Sequence, residues 1–297
     1  MKVIQVAEPI LALLRIHSPL STEVHSVFTS ACNLASPYGL ISVLAPTKRM
    51  NPRGILIDDP AWFRTLQPGA TVSLSLSPEP TIAQSARSPG LSIHGPATTV
   101  FSPKLPETTA IPAALISELP QYLAEHQTAM GIYTLLNHCV PLQLCASDTP
   151  YYSPMMADFF MPRLRALVQA LHQQRRPLDL SAIIGFGAGL TPSADDLLVG
   201  LLSLLDFINH PYFSVIAQAC RLSLAQTTDV SATMLSLATE HQYNEEIIAL
   251  YAVLSEPDQL PGALDNMLAY GHSSGHDTLC GIFVGIHLFA AADSSGR

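Results

Sequence analysis

The feature that most constrains this chain is a glycine-rich loop that leads directly into a leucine-rich segment. Residues 185–200 read Gly-Phe-Gly-Ala-Gly-Leu-Thr-Pro-Ser-Ala-Asp-Asp-Leu-Leu-Val-Gly. Three glycines at alternate positions allow a sharp bend, and Thr191 and Pro192 predict an N-cap and the first residue of a buried helix. The N–H groups at such a helix start favour an anion. The segment lacks the lysine of a Walker loop and the Gly-x-Gly-x-x-Gly spacing of dinucleotide folds.

A second segment, residues 271–281, repeats this pattern 81 positions later. Each copy reads Ser-x-x-Asp-x-Leu-x-Gly, and the matched pairs are Ser193 with Ser274, Asp196 with Asp277, Leu198 with Leu279, and Gly200 with Gly281. Glycine inside a helix is unfavourable by about 1 kcal/mol against alanine. We therefore expect the two helices to cross closely at Gly200 and Gly281, which would bring both loops together.

The polar residues of the two loops are the candidate site. Three carboxylates and two imidazoles, those of His272 and His276, near hydroxyls and glycine backbone can carry acid–base chemistry. The predicted catalytic residues are His272, Asp196 and Asp277. The predicted substrate-binding residues are Gly187, Gly189, Thr191, Ser193, Ser273, Ser274 and Gly275. Acidic residues in a first helical turn also stabilise the helix without any catalytic role, and this alternative stays open.

The same carboxylates could hold a divalent cation. Asp195, Asp196 and Asp277 are the predicted ligands, and a hard ion such as Mg²⁺ suits oxygen donors that face a phosphate. No spacing in the sequence is specific enough to predict a zinc site. No organic cofactor is expected.

Several other polar residues have simpler interpretations. Cys280 and His287 are expected in the helical core, and Asn33 is expected in a turn. The cluster from Thr227 to Ser231 reads as a helix cap, although it could line the same cavity. Nucleophilic catalysis is not favoured, because Ser193 and Ser274 lack the Gly-x-Ser-x-Gly elbow.

Composition narrows the function classes. The chain has 297 residues, 48% apolar and 12% charged, and a formal net charge of −9. The acidic balance argues against nucleic acid and anionic membranes as partners. So few charges favour either an oligomer with a large interface or an alanine- and leucine-rich helical core. No apolar run reaches the roughly 20 residues of a membrane span.

The cysteines and the N-terminus indicate the compartment. The chain has five cysteines with no Cys-x-x-Cys pair, which is typical of buried thiols in a reducing environment. The first residues show no cleavable signal pattern. We expect a cytoplasmic protein.

The sequence predicts an α+β protein, with an N-terminal small β-barrel or sandwich followed by a mostly α-helical region. Short runs separated by turn residues predict strands: Glu23–Phe28, Leu40–Leu44, Gly54–Ile57, Thr71–Leu76 and Leu91–His94. A short helix is expected at 59–67. A proline-rich linker at 102–112 separates the predicted domains, 1–105 and 106–297, and the second carries both loops.

Helical periodicity follows the linker. The predicted helices are Ala113–Cys139 (broken near Pro120), Met155–Gln174, Pro192–Asn209, Pro211–Gln226, Asp229–His241, Asn244–Leu254, Gln259–Tyr270 and Asp277–Ala291.

The two loop segments, Gly189 to Gly200 and Gly271 to Gly281, resemble the family that contains the AllH subunit of oxamate carbamoyltransferase. His25-Ser26-Val27-Phe28, followed by Asn33-Leu34, is also similar to that family's N-terminal region. The resemblance implies a cytoplasmic bacterial protein of allantoin and purine catabolism that works with FdrA-like and AllG-like subunits. The implied reaction is carbamoyl transfer between oxalurate and phosphate, giving oxamate and carbamoyl phosphate.

The implied chemistry fits the loops in part. All four compounds are small anions, which two facing helix N-termini could bind through N–H groups, and His272 could move a proton to or from the departing nitrogen. Neither loop contains Lys or Arg. The positive charge must therefore come from Arg49, Arg53 or Arg163, from a metal ion, or from a partner subunit.

The chain differs from the family pattern at two positions, Ala194 in place of a glycine and His276 in place of an aromatic residue. Two other functions compete with a transferase subunit. One is a non-catalytic scaffold whose loops only lock two helices together, and the other is a metal-dependent hydrolase of small amides.

Overall fold

The short alternating runs of the N-terminal region form strands, and the longer apolar periodicities that follow form helices. The structure, a computed structural model, describes residues 2–77, 90–94, 98–107, 111–126, 131–136, 138–139 and 154–290. It divides into two units: Met1–Lys104 with Tyr243–Glu245, and Leu105–Gln242 with Glu246–Arg297. The predicted α+β class is confirmed.

The first unit is built on one curled sheet, a half-barrel of eight described strands. The strands are β1 Val3–Ala7, β2 Leu20–Val27, β3 Ala31–Ser36, β4 Gly39–Leu44, β5 Gly54–Ile57, β6 Thr71–Ser77, β7 Gly90–His94 and β8 Thr99–Phe101. Their order is β7-β6-β2-β3-β4-β5-β1-β8. The pairs β1–β8, β4–β5 and β6–β7 are parallel, and the remaining pairs are antiparallel.

Alternation of side chains explains the sheet. In β6, Val72 and Leu74 are buried while Thr71 is exposed, as expected for a strand with one face on a core. The helix α1, Glu8–His17, buries Ile10 and Leu14. The short helix predicted around Trp62 is present as a 3₁₀ helix, Pro60–Thr65.

Asn33 lies in the middle of β3, so its prediction as a turn residue is wrong. Its amide donates to Ser26 Oγ on β2 at 3.1 Å, and its carbonyl oxygen accepts from Ser42 Oγ on β4 at 3.0 Å. The side chain thus links three neighbouring strands, which satisfies a polar group inside a sheet.

The second unit is helical. Its described α-helices are α2 Ala113–Glu125, α3 Tyr133–Leu136, α4 Pro154–His172, α5 Ser193–Phe207, α6 Phe213–Ser223, α7 Asp229–Thr239, α8 Glu245–Ala252, α9 Leu260–Leu268 and α10 Ser274–Gly285. A π-helical turn, Ile286–Ala290, continues α10. Among the described residues, no helix combines the length and the apolar character that crossing a bilayer demands.

Two details of the helix predictions are wrong. Pro120 does not break α2, which continues to Glu125 and buries Leu119 and Leu123 on one face. The helix α5 begins at Ser193 rather than at Pro192, and Pro192 holds the N-cap position without a side-chain cap.

The core of the second unit is the pair α5 and α10. Every residue of α10 is buried, and so is every residue of α5 except Asp206. Such all-round burial fits helices that are apolar on most faces. Four cysteines, Cys32, Cys139, Cys220 and Cys280, are buried free thiols, while Cys145 lies outside the described residues.

Candidate functional site

The glycine loop before α5 folds back over the start of its own helix. Gly187 has φ +128°, and a Cβ there would lie 2.3 Å from the backbone nitrogen of Ser193, so only glycine fits. The carbonyl of Phe186 accepts the N–H of Ala194 at 2.9 Å, and the carbonyl of Pro192 accepts from Asp195 and Asp196. These amides of the first turn are therefore occupied within the chain, which removes donors from the predicted anion site.

The predicted helix crossing is confirmed. A Cβ built on Gly200 would lie 1.9 Å from the carbonyl oxygen of Thr278, and one built on Gly281 would lie 1.9 Å from that of Leu197. No real Cβ approaches a backbone oxygen so closely, so both positions need glycine. The crossing brings the first turns of α5 and α10 to one place.

Across this crossing, the serine hydroxyl of each repeat donates a hydrogen bond to the aspartate of the other repeat. The carboxylate of Asp196, on α5, accepts from Ser274 at the start of α10 and from Thr191. The carboxylate of Asp277, on α10, accepts from Ser193 and Ser273. The hydroxyls of Thr191 and Ser274 are themselves 2.8 Å apart. The repeated serine and aspartate therefore have equivalent roles in the two halves.

Asp277 has one further donor, the backbone amide of Ile132, at 2.7 Å from its Oδ1. Sequence patterns could not have identified Ile132, because only its main chain takes part. Asp196 and Asp277 are 2% and 0% exposed. Among the described residues, the Oδ2 atom of each has no hydrogen-bond partner.

Burial raises the pKa of both carboxyl groups, and the nearby Asp277 charge raises the pKa of Asp196 further. Donated hydrogen bonds lower both pKa values without cancelling the effect of burial. Two carboxyl groups whose charges interact in a dry environment resist ionising together. The pair can therefore hold a proton or accept hydrogen bonds or a cation at the unpartnered oxygens.

Asp195 lies beside this pair in sequence but binds different partners. Its Oδ1 accepts the N–H of Gly185 at 2.8 Å, and its Oδ2 accepts from Thr227 Oγ1 at 2.5 Å and Ser231 Oγ at 2.6 Å. Both oxygens are therefore engaged by the loop and by α7. Thr228 caps α7, as the sequence indicated.

The two histidines of the second loop differ. His272 is exposed just before α10. His276 is 1% exposed, and its Nε2 lies 3.1 Å from the carbonyl of Leu123. Burial lowers the pKa of His276, so this imidazole is held neutral.

Family comparisons match two parts of the chain. Residues 183–286 match the family described as "Oxamate carbamoyltransferase subunit AllH". Residues 2–83 match the "AllH family N-terminal domain". The chain belongs to the AllH family. The name of the family is that of a carbamoyltransferase subunit, which implies a protein that works with other subunits. No solved structure matches the chain.

The segment that matches AllH contains all the predicted site residues. Thr191, Ser193, Ser273 and Ser274 lie in the hydrogen-bond network around the two carboxyl groups. Gly189 is exposed. Gly275 is buried against the backbone of Met267 and donates its N–H to Tyr270. Their roles in substrate binding remain predictions.

The arginines proposed to supply positive charge to this AllH chain have other contacts. Arg49 pairs with Glu245 at 3.3 Å, and Arg53 donates to the carbonyls of Leu40 and Tyr38. In the second unit, the guanidinium of Arg163 stacks on Phe159, 3.8 Å from the ring centroid. None of these contacts involves Asp196 or Asp277, so the source of positive charge is open.

Proposed function

We propose that this AllH chain is a subunit of an oxamate carbamoyltransferase and that the Asp196–Asp277 centre takes part in carbamoyl transfer between oxalurate and phosphate. One observation carries the proposal: two buried carboxyl groups, each with an unpartnered oxygen, meet where both repeated loops converge. This centre lies within the residues that match the AllH family. The family description supports the role of a transferase subunit.

The reaction breaks one bond and forms another. A phosphate oxygen attacks the carbamoyl carbon of oxalurate, the C–N bond to the oxamate nitrogen breaks, and that nitrogen takes a proton to give oxamate. His272 is the proposed proton carrier, because it is exposed at the start of α10 and close in sequence to the converging loops. Histidine is the side chain that most often acts as a general acid or base.

The two carboxyl groups would bind the neutral part of the substrate. The carbamoyl and imide N–H groups of oxalurate are donors, and the Oδ2 atoms of Asp196 and Asp277 are acceptors without partners among the described residues. A buried acceptor gains most from such a donor. Both oxygens are almost inaccessible, so entry of substrate requires a covering segment to move.

The anionic ends of the substrates need a different contact. The first-turn amides of α5 already bond within the chain. The two carboxyl groups also disfavour a negatively charged part of a substrate beside them. We therefore place the phosphate contacts on partner subunits, FdrA-like and AllG-like, and expect the complete complex to be required for turnover. The chain alone should release no carbamoyl phosphate.

The test is a reconstituted assay that measures carbamoyl phosphate formed from oxalurate and phosphate. Asp196→Asn and Asp277→Asn should each lower kcat/KM by about 100-fold or more, since each removes an acceptor that contacts the reacting group. The matched control is Asp258→Asn, an exposed carboxyl in a 3₁₀ turn, which should retain full activity. Circular dichroism establishes that each variant is folded.

A scaffold function has its own supporting observation. Asp195 and the two crossing glycines are fully used in joining α5 to its neighbours, as a purely structural element would be. In that case folded Asp196→Asn and Asp277→Asn complexes would keep wild-type turnover. Gly200→Leu would instead prevent folding or subunit assembly.

A further inference from the structure

Three side chains at the start of α10 bring a nitrogen, an oxygen and a sulfur donor together. The ligand atoms of His276, Asp277 and Cys280 all lie within 4.8 Å of one another, and the three residues are buried. The spacing of four positions places His276 and Cys280 on one face of the helix, with Asp277 next to them. From the sequence, Cys280 was expected only as a core residue, whereas His276 and Asp277 were expected on the same loop.

The orientation of His276 fits a metal ligand. Its Nε2 lies 3.1 Å from the carbonyl oxygen of Leu123, which can only accept, so the ring proton is on Nε2. The Nδ1 lone pair is then directed towards Cys280, whose Sγ is 3.8 Å away. Histidine ligands are commonly held in this way, with the second ring nitrogen donating to a backbone carbonyl.

Asp277 supplies an independent observation. Its Oδ1 is held by the N–H of Ile132 at 2.7 Å, while its Oδ2 has no partner among the described residues although the side chain is 0% exposed. Leaving a buried carboxylate oxygen unpartnered is costly. A hydrogen bond between the Cys280 thiol and His276 would account for those two residues but not for this oxygen.

We propose that His276, Asp277 and Cys280 bind a zinc ion. Mixed nitrogen, oxygen and sulfur donors favour zinc, whereas magnesium takes oxygen ligands. Zinc sites with three protein ligands keep one position for water or substrate. Binding displaces the thiol proton of Cys280 to solvent.

This zinc site differs from the magnesium site that the sequence suggested. Of the three predicted magnesium ligands it keeps only Asp277. The two oxygens of Asp195 already accept hydrogen bonds within the chain. The ion would bring positive charge to a centre whose loops contain neither Lys nor Arg. With the ion bound to Asp277, the Oδ2 atom of Asp196 alone would accept from the substrate. The inference does not depend on carbamoyl transfer, because it rests only on the donors and their orientation.

The test is a Co²⁺ titration of the full, reduced, metal-free chain without substrate or partner. Wild-type protein should bind one equivalent with a thiolate-to-cobalt absorption band in the near ultraviolet, and Zn²⁺ should displace the cobalt. Cys280→Ala should lose the band and weaken binding by at least about 100-fold. Cys220→Ala is the matched control, since it removes a buried thiol that lies outside the cluster, and it should keep the band.

Absence of the band in the folded wild-type protein would overturn the proposal, and so would a band that survives Cys280→Ala. If Cys280→Ala does not fold, zinc X-ray absorption of the wild-type chain decides the question. One sulfur scatterer with nitrogen and oxygen neighbours supports the site, and a shell of oxygen alone contradicts it. Because no turnover is measured, failure here leaves the carbamoyltransferase proposal standing.

Discussion

Gly200 of α5 and Gly281 of α10 occupy equivalent places in one helix crossing. Each lies against the carbonyl oxygen of the residue three positions before the other glycine, Thr278 in one case and Leu197 in the other. The same reciprocity extends to the first turns, where Ser274 donates to Asp196 and Ser193 donates to Asp277. The two repeats therefore pack as the halves of a local two-fold arrangement.

The first prediction concerns this crossing. Gly200→Ala should lower the free energy of unfolding by about 3 kcal/mol or more, because its Cβ meets backbone that cannot move independently. The matched control is Gly262→Ala on α9, where a Cβ meets nothing within 4 Å. That change should raise stability by about 0.5–1 kcal/mol. Urea denaturation measures both, and equal stability of the two variants would contradict the crossing.

The second prediction concerns Asp195. Its carboxylate joins the loop at Gly185 to Thr227 and Ser231 near α7. Asp195→Asn replaces one acceptor oxygen by an NH₂ donor that faces existing donors, so unfolding free energy should fall by about 2–3 kcal/mol. Asp258→Asn, at an exposed position, should change it by less than about 0.5 kcal/mol. A wild-type denaturation midpoint for Asp195→Asn would refute this role.

The third prediction is a pH dependence of the metal-free protein. Burial raises the pKa of Asp277 from 3.8 to about 7, and burial with the Asp277 charge raises the pKa of Asp196. The folded state thus binds protons more tightly than the unfolded state. The stabilisation that comes from these protonated carboxyl groups is fully present below about pH 4. It is lost as the pH rises through 7, so the free energy of unfolding falls over this interval.

Asp196→Asn should reduce that fall by at least about 1 kcal/mol, because it removes one member of the repelling pair. Denaturation in chelator at several pH values between 4 and 8 measures the effect. The other titratable groups nearby are Asp195, Cys280 and His276; the lowered pKa of His276 acts in the opposite sense. Because these groups are present in both proteins, the difference between wild type and Asp196→Asn isolates the effect of Asp196. The same dependence of unfolding free energy on pH in both proteins would contradict the prediction.

The fourth prediction concerns Asn33, which we expect to contribute to the stability of the first unit but not to turnover. Asn33→Ala breaks the bonds to Ser26 and Ser42 on the adjacent strands, so unfolding free energy should fall by about 1–2 kcal/mol. Turnover of the reconstituted complex should stay at the wild-type level, because the bonds that Asn33 makes to Ser26 and Ser42 lie within the sheet of the first unit. Ser42→Ala removes one of the two bonds and should show a smaller loss of stability.

Parts of this fold were accessible from sequence because they depend on spacing alone. The paired glycines predicted the helix crossing, since a missing Cβ at matched positions permits close approach. Strands with clear alternation, such as Thr71–Ser77, were also predicted. The strands Val3–Ala7 and Ala31–Ser36 were missed.

The candidate site was predictable only as a region. Asp195 and Asp196 are adjacent in sequence, yet successive helical positions point about 100° apart, so one reaches α7 and the other reaches α10. Which of the two aspartates faces α7 and which faces α10 depends on where those two helices pack against α5. The donor at Ile132 is a main-chain N–H, so a pattern of side chains in the sequence cannot predict it.

The hydroxyl contact between Thr191 and Ser274 joins residues 83 positions apart. A contact of such long sequence separation forms only after most of the intervening chain has been closed into a loop, which is entropically expensive. The polar centre should therefore be assembled late in folding. No continuous fragment that contains only one of the two repeats can reproduce it, and a protease cut that releases α10 should abolish the centre while leaving the N-terminal sheet intact.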